Sequence, residues 1–357
     1  MKKLSLYIFV GLMWCNVGFA ENFIPSTFNV RNALKSTMEN GFVKCGVTEI
    51  QNFNYEGTKG LPGFTKLNPS GYWSGIDVDV CRAVAAAVLG DANKVKFIPL
   101  KRVESFKSLN NCQDKTKCID ILSRHSSWTL TRDSFLNFAG INFIDGNGFI
   151  VRKKSGIKST KDFKNGISIC GNVGTQTELN TKFFFNSIGK TYKLLQYEKA
   201  WEVVAAYDAG RCDTYVTDRT GLMAQRTKMS KPDEHLILPE IISKEPLGPV
   251  VREFDPYWEN IVRWSLNTMI VAEELGVTSL NIDEMKNSEN PKIKRLIGIE
   301  GRHGEDLYLD QEWSYRIIKQ VGNYGESYER NLGYLLPERG PNNLWKNGGF
   351  IFVGDFR

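Results

Sequence analysis

Ile119-Asp-Ile-Leu-Ser-Arg-His-Ser-Ser-Trp-Thr-Leu-Thr-Arg132 is the stretch on which the fold turns. The apolar run Ile119–Leu122 has the length of a short buried strand. It is followed by hydroxyls at Ser127 and Thr129 and a guanidinium at Arg132, the pattern of a strand that ends in a binding loop. Upstream of it the chain alternates. A helix over Val30–Glu39 stops at Asn40-Gly41, a common C-terminal signal. A strand is expected at Phe42–Val47, an amphipathic helix from near Asp77 to Gly90, a strand at Val95–Pro99 and a short helix at Val103–Leu109. Such alternation predicts a parallel sheet with right-handed crossovers. Ligands in these sheets sit beyond the carboxyl ends of the strands, where residues 124–132 lie.

Downstream the alternation restarts. Gly148–Val151 is extended and reads as a crossing to a second lobe. Strands at Ile167–Cys170, Tyr192–Gln196, Asp213–Thr217 and Leu236–Pro239 alternate with helices at Thr175–Asn186, Ala200–Ala209 and Leu222–Thr227. Gly248–Val251 reads as the return crossing. The long helix Tyr257–Glu274 carries one apolar face and returns to the first lobe. Two α/β lobes joined by two extended crossings make a hinged clamshell. The expected division is a first lobe over 21–147 and 252–304, a second over 148–251, and a C-terminal extension over 305–357 packed on the first lobe. The amphipathic helix Trp313–Val321 belongs to that extension.

Three segments carry binding chemistry. A planar guanidinium at Arg132 beside hydroxyls suits a small carboxylate. Gly174-Thr-Gln-Thr-Glu178 contains Thr175-x-x-Glu178, a capping box at a helix start. Its glycine allows close approach, and free N–H groups of a first helical turn attract anions. Asp218 ends a predicted strand, where its carboxylate accepts from an ammonium or serves as the cap of the next helix. Arg132, Thr175, Gln176 and Asp218 together would hold a carboxylate and an ammonium, the two charges of a free amino acid. Aromatic cover is expected from Phe64, with Trp128 an alternative; either can instead be core.

The N-terminus sets the compartment. Lys2 and Lys3, the short apolar run Leu4–Trp14, and small residues at Gly18 and Ala20 form a cleavable export leader ending at Ala20. Removing it takes 20 residues from 357 and leaves 337, enough for two lobes. No later stretch has the ~18 apolar residues of a membrane span. Cys15 leaves with the leader, and six cysteines remain, an even count that reads as disulfides in an exported chain. Fifteen connectivities are possible. Cys112–Cys118 across a short loop, Cys45–Cys81 and Cys170–Cys212 are the expected three. No Cys-x-x-Cys is present, and His125, His235 and His303 are scattered, so no metal site and no cofactor is expected. The formal charge of +6 falls to +4 without Lys2 and Lys3, with no basic run or aromatic-basic stripe for nucleic acid.

Longer runs resemble a known family. They are Trp73-Ser-Gly-Ile-Asp-Val-Asp-Val-Cys-Arg-Ala-Val-Ala-Ala-Ala-Val, Trp128-Thr-Leu-Thr-Arg-Asp, Gly210-Arg-Cys-Asp, Leu238-Pro-Glu-Ile-Ile-Ser-Lys-Glu-Pro-Leu-Gly-Pro-Val-Val-Arg, Ala272-Glu-Glu-Leu-Gly-Val and Val321-Gly-Asn-Tyr-Gly-Glu-Ser-Tyr-Glu-Arg-Asn-Leu-Gly. They resemble the periplasmic solute-binding proteins of polar amino-acid ABC transporters, in particular the general L-amino-acid-binding branch. The resemblance implies a type II-like periplasmic-binding-protein clamshell. It also implies a monomeric periplasmic receptor that captures free L-amino acids with broad specificity and delivers them to membrane permease subunits. It places the α-carboxylate loop on Ser127, Thr129 and Arg132, the amide turn on Gly174, Thr175 and Gln176, and the α-ammonium carboxylate on Asp218. Gln176 replaces a family Thr, and His125 stands where the branch has Asn. Residues 48–59 are an insertion ahead of Phe64, and the Cys112–Cys118 loop is an addition. Alternatives on the same scaffold are a dehydratase-like periplasmic enzyme and an extracytoplasmic sensor. The residues show no nucleophile–His pair or phosphate loop for the first, and no membrane segment for the second.

Overall fold

The computed structural model of the protein describes residues 33–48, 52–55, 58–110, 112, 114–336 and 338–357. The leader at 1–20, the first residues of the expected Val30–Glu39 helix and part of the 48–59 insertion lie outside them.

Two five-stranded sheets share one strand order. The first runs Val95–Leu100, Val43–Thr48, Ile121–Leu122, Val250–Arg252, Leu136–Phe138. The second runs Tyr192–Tyr197, Ile167–Asn172, Thr214–Asp218, Asn147–Arg152, His235–Ile237. In each, the three leading strands are parallel and the fourth is antiparallel to its neighbours. The fourth strand is where the chain arrives from the other lobe. The expected crossings therefore sit a few residues too late. Gly148–Val151 already pairs within the second sheet, and Val250 and Val251 already pair within the first. The true link is a two-stranded ribbon, Phe143–Asp145 against Glu245–Leu247. Gly248, beside the ribbon, is needed for close approach. A Cβ there would stand 1.9 Å from the Gly140 carbonyl oxygen.

The ribbon is widened on both edges. Ser127 bridges Leu247, and the Trp128 N–H donates to the Pro246 carbonyl at 2.8 Å. On the opposite edge the Asn342 side chain bonds both the N–H and the C=O of Ile144, at 2.6 and 2.9 Å. One edge carries the Ser127 loop and the other carries the C-terminal extension.

The helix Ile76–Leu89 is not amphipathic as expected. It is buried almost all round, because helices Pro256–Glu274 and Trp313–Val321 cover the face that would otherwise meet water. Its alanines leave room for that approach. A helix end leaves its last carbonyls without partners. Here the Arg316 guanidinium donates to the carbonyls of Ala86 and Ala87 at 3.1 and 3.0 Å. Nearer its start, buried Asp79 accepts from Ser327, Arg330 and Asn331 at 2.7, 2.6 and 2.7 Å. The extension is thus part of the first lobe's core. Disulfides join Cys45 to Cys81, Cys112 to Cys118 and Cys170 to Cys212. The second strand of each sheet, Val43–Thr48 and Ile167–Asn172, carries one half of a bridge.

Candidate functional site

A cleft of about 80 Å³ lies between the lobes. It sits at the carboxyl ends of the second and third strands of the second sheet and of the third strand of the first, the usual switch-point position. Ser127, Arg132, Thr175, Gln176 and Asp218 all line it.

One end is basic. Thr129 caps the short helix Leu130–Asp133 by accepting from the Arg132 N–H. That turn aims the guanidinium back along the loop, where Arg132 Nη1 donates to the Ser127 carbonyl at 2.7 Å. The guanidinium also lies 5.2 Å from the centre of the Phe106 ring. Opposite stands the start of helix Gln176–Ser187. Thr175 is its cap and accepts from the Glu178 N–H. Glu178 does not close the box on Thr175 but reaches one residue back, to the Gly174 N–H at 2.9 Å. The amides of Gln176 and Thr177 open the first turn, where a helix has no internal acceptors to offer.

The other end is acidic. Asp218 occupies the cap position of helix Arg219–Arg226 but makes no side-chain cap bond. Its Oδ1 accepts instead from Asn147 at 2.8 Å. Asn147 is fully buried, and its own oxygen accepts from Asn180 at 2.7 Å. Glu245, on the crossing ribbon, accepts from Ser127 Oγ at 2.9 Å and from Asn180 at 3.3 Å. Asp145 lies opposite it on the ribbon, bonded to the Thr220 hydroxyl and to the Gly146 N–H. Between these carboxylates stands His125. Its Nε2 is 3.5 Å from Asp218 Oδ2 and 3.7 Å from Asp145 Oδ2.

Burial and mutual repulsion set the protonation of this end. Asp145 is pushed up to about 6, first by burial and then by the charge of Asp218. Glu245 is raised for the same two reasons. His125 is raised as well: burial opposes its charge, but Asp218, Asp145 and Asp77 together outweigh burial. His125, Asp145 and Asp218 bring one potential metal-ligand atom each within 4.8 Å of one another. The scatter of histidines along the chain had hidden this grouping. Imidazole and carboxylates stand at ion-pair distance, so the set is complete as an ion-pair network.

Two expected residues lie elsewhere. Thr129 is spent on its cap and does not line the cleft. Phe64 is 1% exposed and stands behind the site, its ring edge-on to His125 at 4.2 Å and to Phe143 at 5.0 Å. It backs the imidazole rather than covering a ligand. Gly75 permits this placement, since a Cβ at its φ of 135° would meet the Phe64 carbonyl at 1.9 Å. Trp128 stacks on Phe138 at 5.3 Å, in the first lobe's core. Asp145, Asn147, Asn180 and Glu245 escaped the sequence reading. Three of the four lie on or beside the crossing ribbon, whose strands have no periodic pattern; Glu245 stood inside a run quoted for resemblance alone.

A larger cavity of about 510 Å³ lies on the extension side of the ribbon, among Met223, Ile241, Tyr328, Leu335, Leu336 and Phe350. Asp145 borders it too, but Arg132 and Asp218 do not. The larger cavity carries its own charged groups, Arg219, Arg339, Lys244, Asp145 and Glu338, and the smaller cleft is the one that joins Arg132 to Asp218.

No family model matches the chain. Individual relatives do. The chain is 44% identical over 330 residues to the putative amino-acid ABC transporter-binding protein YhdW of Escherichia coli, covering 91% of this chain and 92% of that one. It is 44% identical over 353 residues to the general L-amino acid-binding periplasmic protein AapJ of Rhizobium johnstonii, covering 97% and 99%. A solved periplasmic binding protein from Brucella ovis with glutathione bound is 45% identical, with a TM-score of 0.82 over 92% of this chain and all of that one. These relatives are named as binding proteins, not enzymes, and the solved one shares the fold. The chain belongs to the family of amino-acid-binding proteins of periplasmic ABC transport systems.

Proposed function

We propose that the protein captures a free L-α-amino acid in the small cleft and presents the closed form to a membrane permease. Arg132 and the amides of Gln176 and Thr177 take the α-carboxylate. Asp218 takes the α-ammonium, and Glu245 is its second partner. The observation that carries this reading is the pairing of a guanidinium and a carboxylate group at opposite ends of one cleft that both lobes line. A ligand bridging them favours closure by its greater affinity for the closed state. The recognised groups are common to all amino acids, so broad specificity follows. Glutathione has a free α-ammonium and α-carboxylate at its γ-glutamyl end, and the same clamp suits that end.

The export leader is cleaved after Ala20, and the mature chain acts as a periplasmic monomer. The lobes divide within the ribbon, with 305–357 moving with the first lobe. Calorimetry against common L-amino acids, their decarboxylated analogues and their deaminated analogues tests the clamp. Binding of several amino acids with loss of affinity in both analogue series is expected. Equal binding of a decarboxylated analogue would sink the role of Arg132.

A further inference from the structure

We infer that protonated His125 holds the ammonium's place in the empty cleft, and that amino-acid binding expels its proton. The inference rests on the clamp proposed above and adds proton release to it. His125 supplies a positive charge to Asp218 from the other lobe at close range, through Nε2 at 3.5 Å. The ring is fixed there, edge-on to Phe64, on a backbone with φ of 59°. Charged groups from several elements face this end. Arg124 comes from its own loop, Asp77 from helix Ile76–Leu89, Asp145 and Glu245 from the ribbon, and Asp218 from the second lobe.

An α-ammonium bonded to Asp218 must share that carboxylate with the imidazolium. Two cations a few ångström apart in a buried site repel strongly. The imidazole is the one that titrates near neutral pH. Its proton leaves to solvent, and the zwitterionic ligand binds a neutral ring. The buried Nδ1 has no hydrogen-bond partner. In the imidazolium that atom is a donor without an acceptor, a cost that adds to the repulsion between the two cations. Asp145 and Glu245 act with the same sign: an incoming cation lowers their proton affinity too. By linkage, affinity rises with pH through the His125 midpoint of the empty protein, at up to about tenfold per pH unit for one proton.

The chain has three histidines, so imidazole NMR resolves His125 against His235 and His303, with His125→Asn for assignment. Asn tolerates the positive φ. The ligand is L-glutamine, whose side chain adds no charge. At saturation the His125 midpoint is expected to fall by about one unit or more, while His235 and His303 stay fixed. His125→Asn should lose most of the pH dependence of glutamine affinity between pH 6 and 8. A bound-state midpoint that is unchanged or higher, or a variant with the wild-type pH dependence, would overturn the proposal while leaving the clamp intact. Failure of glutamine to bind at any pH would overturn both.

Discussion

The basic and acidic ends of the cleft are built on opposite plans. The basic end uses groups close in sequence: Ser127, Thr129 and Arg132 in one loop, Gly174 to Glu178 in one helix start. Its cation and its backbone amides do not titrate in the ordinary pH range. The acidic end collects Asp77, His125, Asp145, Asn147, Asn180, Asp218 and Glu245 from both lobes and the ribbon between them. Burial raises the proton affinities of Asp77, Asp145 and Glu245, and the neighbouring carboxylates raise that of His125. A charge held by local geometry is steady, whereas one held by a buried network responds to every other charge in it. In the proposed binding mode the ligand's two charges therefore meet unlike receptors.

Removing the steady end should do the most damage. Arg132→Ala is expected to weaken amino-acid binding by more than a hundredfold, within the roughly 2–5 kcal/mol of a truncated buried charge pair, with little change in melting temperature. Calorimetry with a thermal melt checks both, and retained affinity would remove Arg132 from the carboxylate role. Asp218→Asn should follow, at about tenfold to a hundredfold, from the loss of a charge-assisted bond of roughly 1.5–3 kcal/mol. The loss should be greater for amino acids than for deaminated analogues; equal losses would break the division into two ends.

Glu245→Gln should cost less, about tenfold or below, because it also relieves repulsion with Asp218 and Asp145. An effect as large as that of Asp218→Asn would make the two carboxylates equal partners.

The smallest effect concerns the empty protein. A carboxyl whose folded pKa is raised contributes stability that is present at low pH and lost as pH rises. For Asp145 that loss runs from the ordinary value of 3.8 up to about 6. His125, also raised, loses its contribution in the same direction at higher pH. The melting temperature of the wild type relative to Asp145→Asn should therefore fall between pH 4 and 6, by a few degrees at roughly 2–4 °C per kcal/mol. A flat difference would show that the network does not strain the empty cleft. Ligand-induced thermal shifts should grow over a higher range, from pH 6 to 8.

The same division explains what could be read from the chain. Arg132, Thr175 and Asp218 were legible because each sits where a strand end or a helix cap dictates its surroundings within a few residues. The helix Ile76–Leu89 was legible as a helix but not as a buried one. Nothing near Ala86 or Ala87 indicates that Arg316 will close its carbonyls or that Ser327, Arg330 and Asn331 will meet Asp79. Phe64 was read as a wall and is a backing, since its neighbours His125 and Phe143 lie 61 and 79 positions away in the chain.

Sequence by itself determined the alternation that builds two sheets, the helix starts and strand ends, and the loop that aims Arg132. These follow from periodicity, caps and turns, which act over a few residues. Tertiary structure decided where the chain crosses between lobes and which carboxylates surround His125. Those outcomes depend on pairing across a hundred residues or more, as between Asp145 or His125 and Glu245. Only when the ribbon forms are these charges forced together out of water, and only then do their proton affinities move.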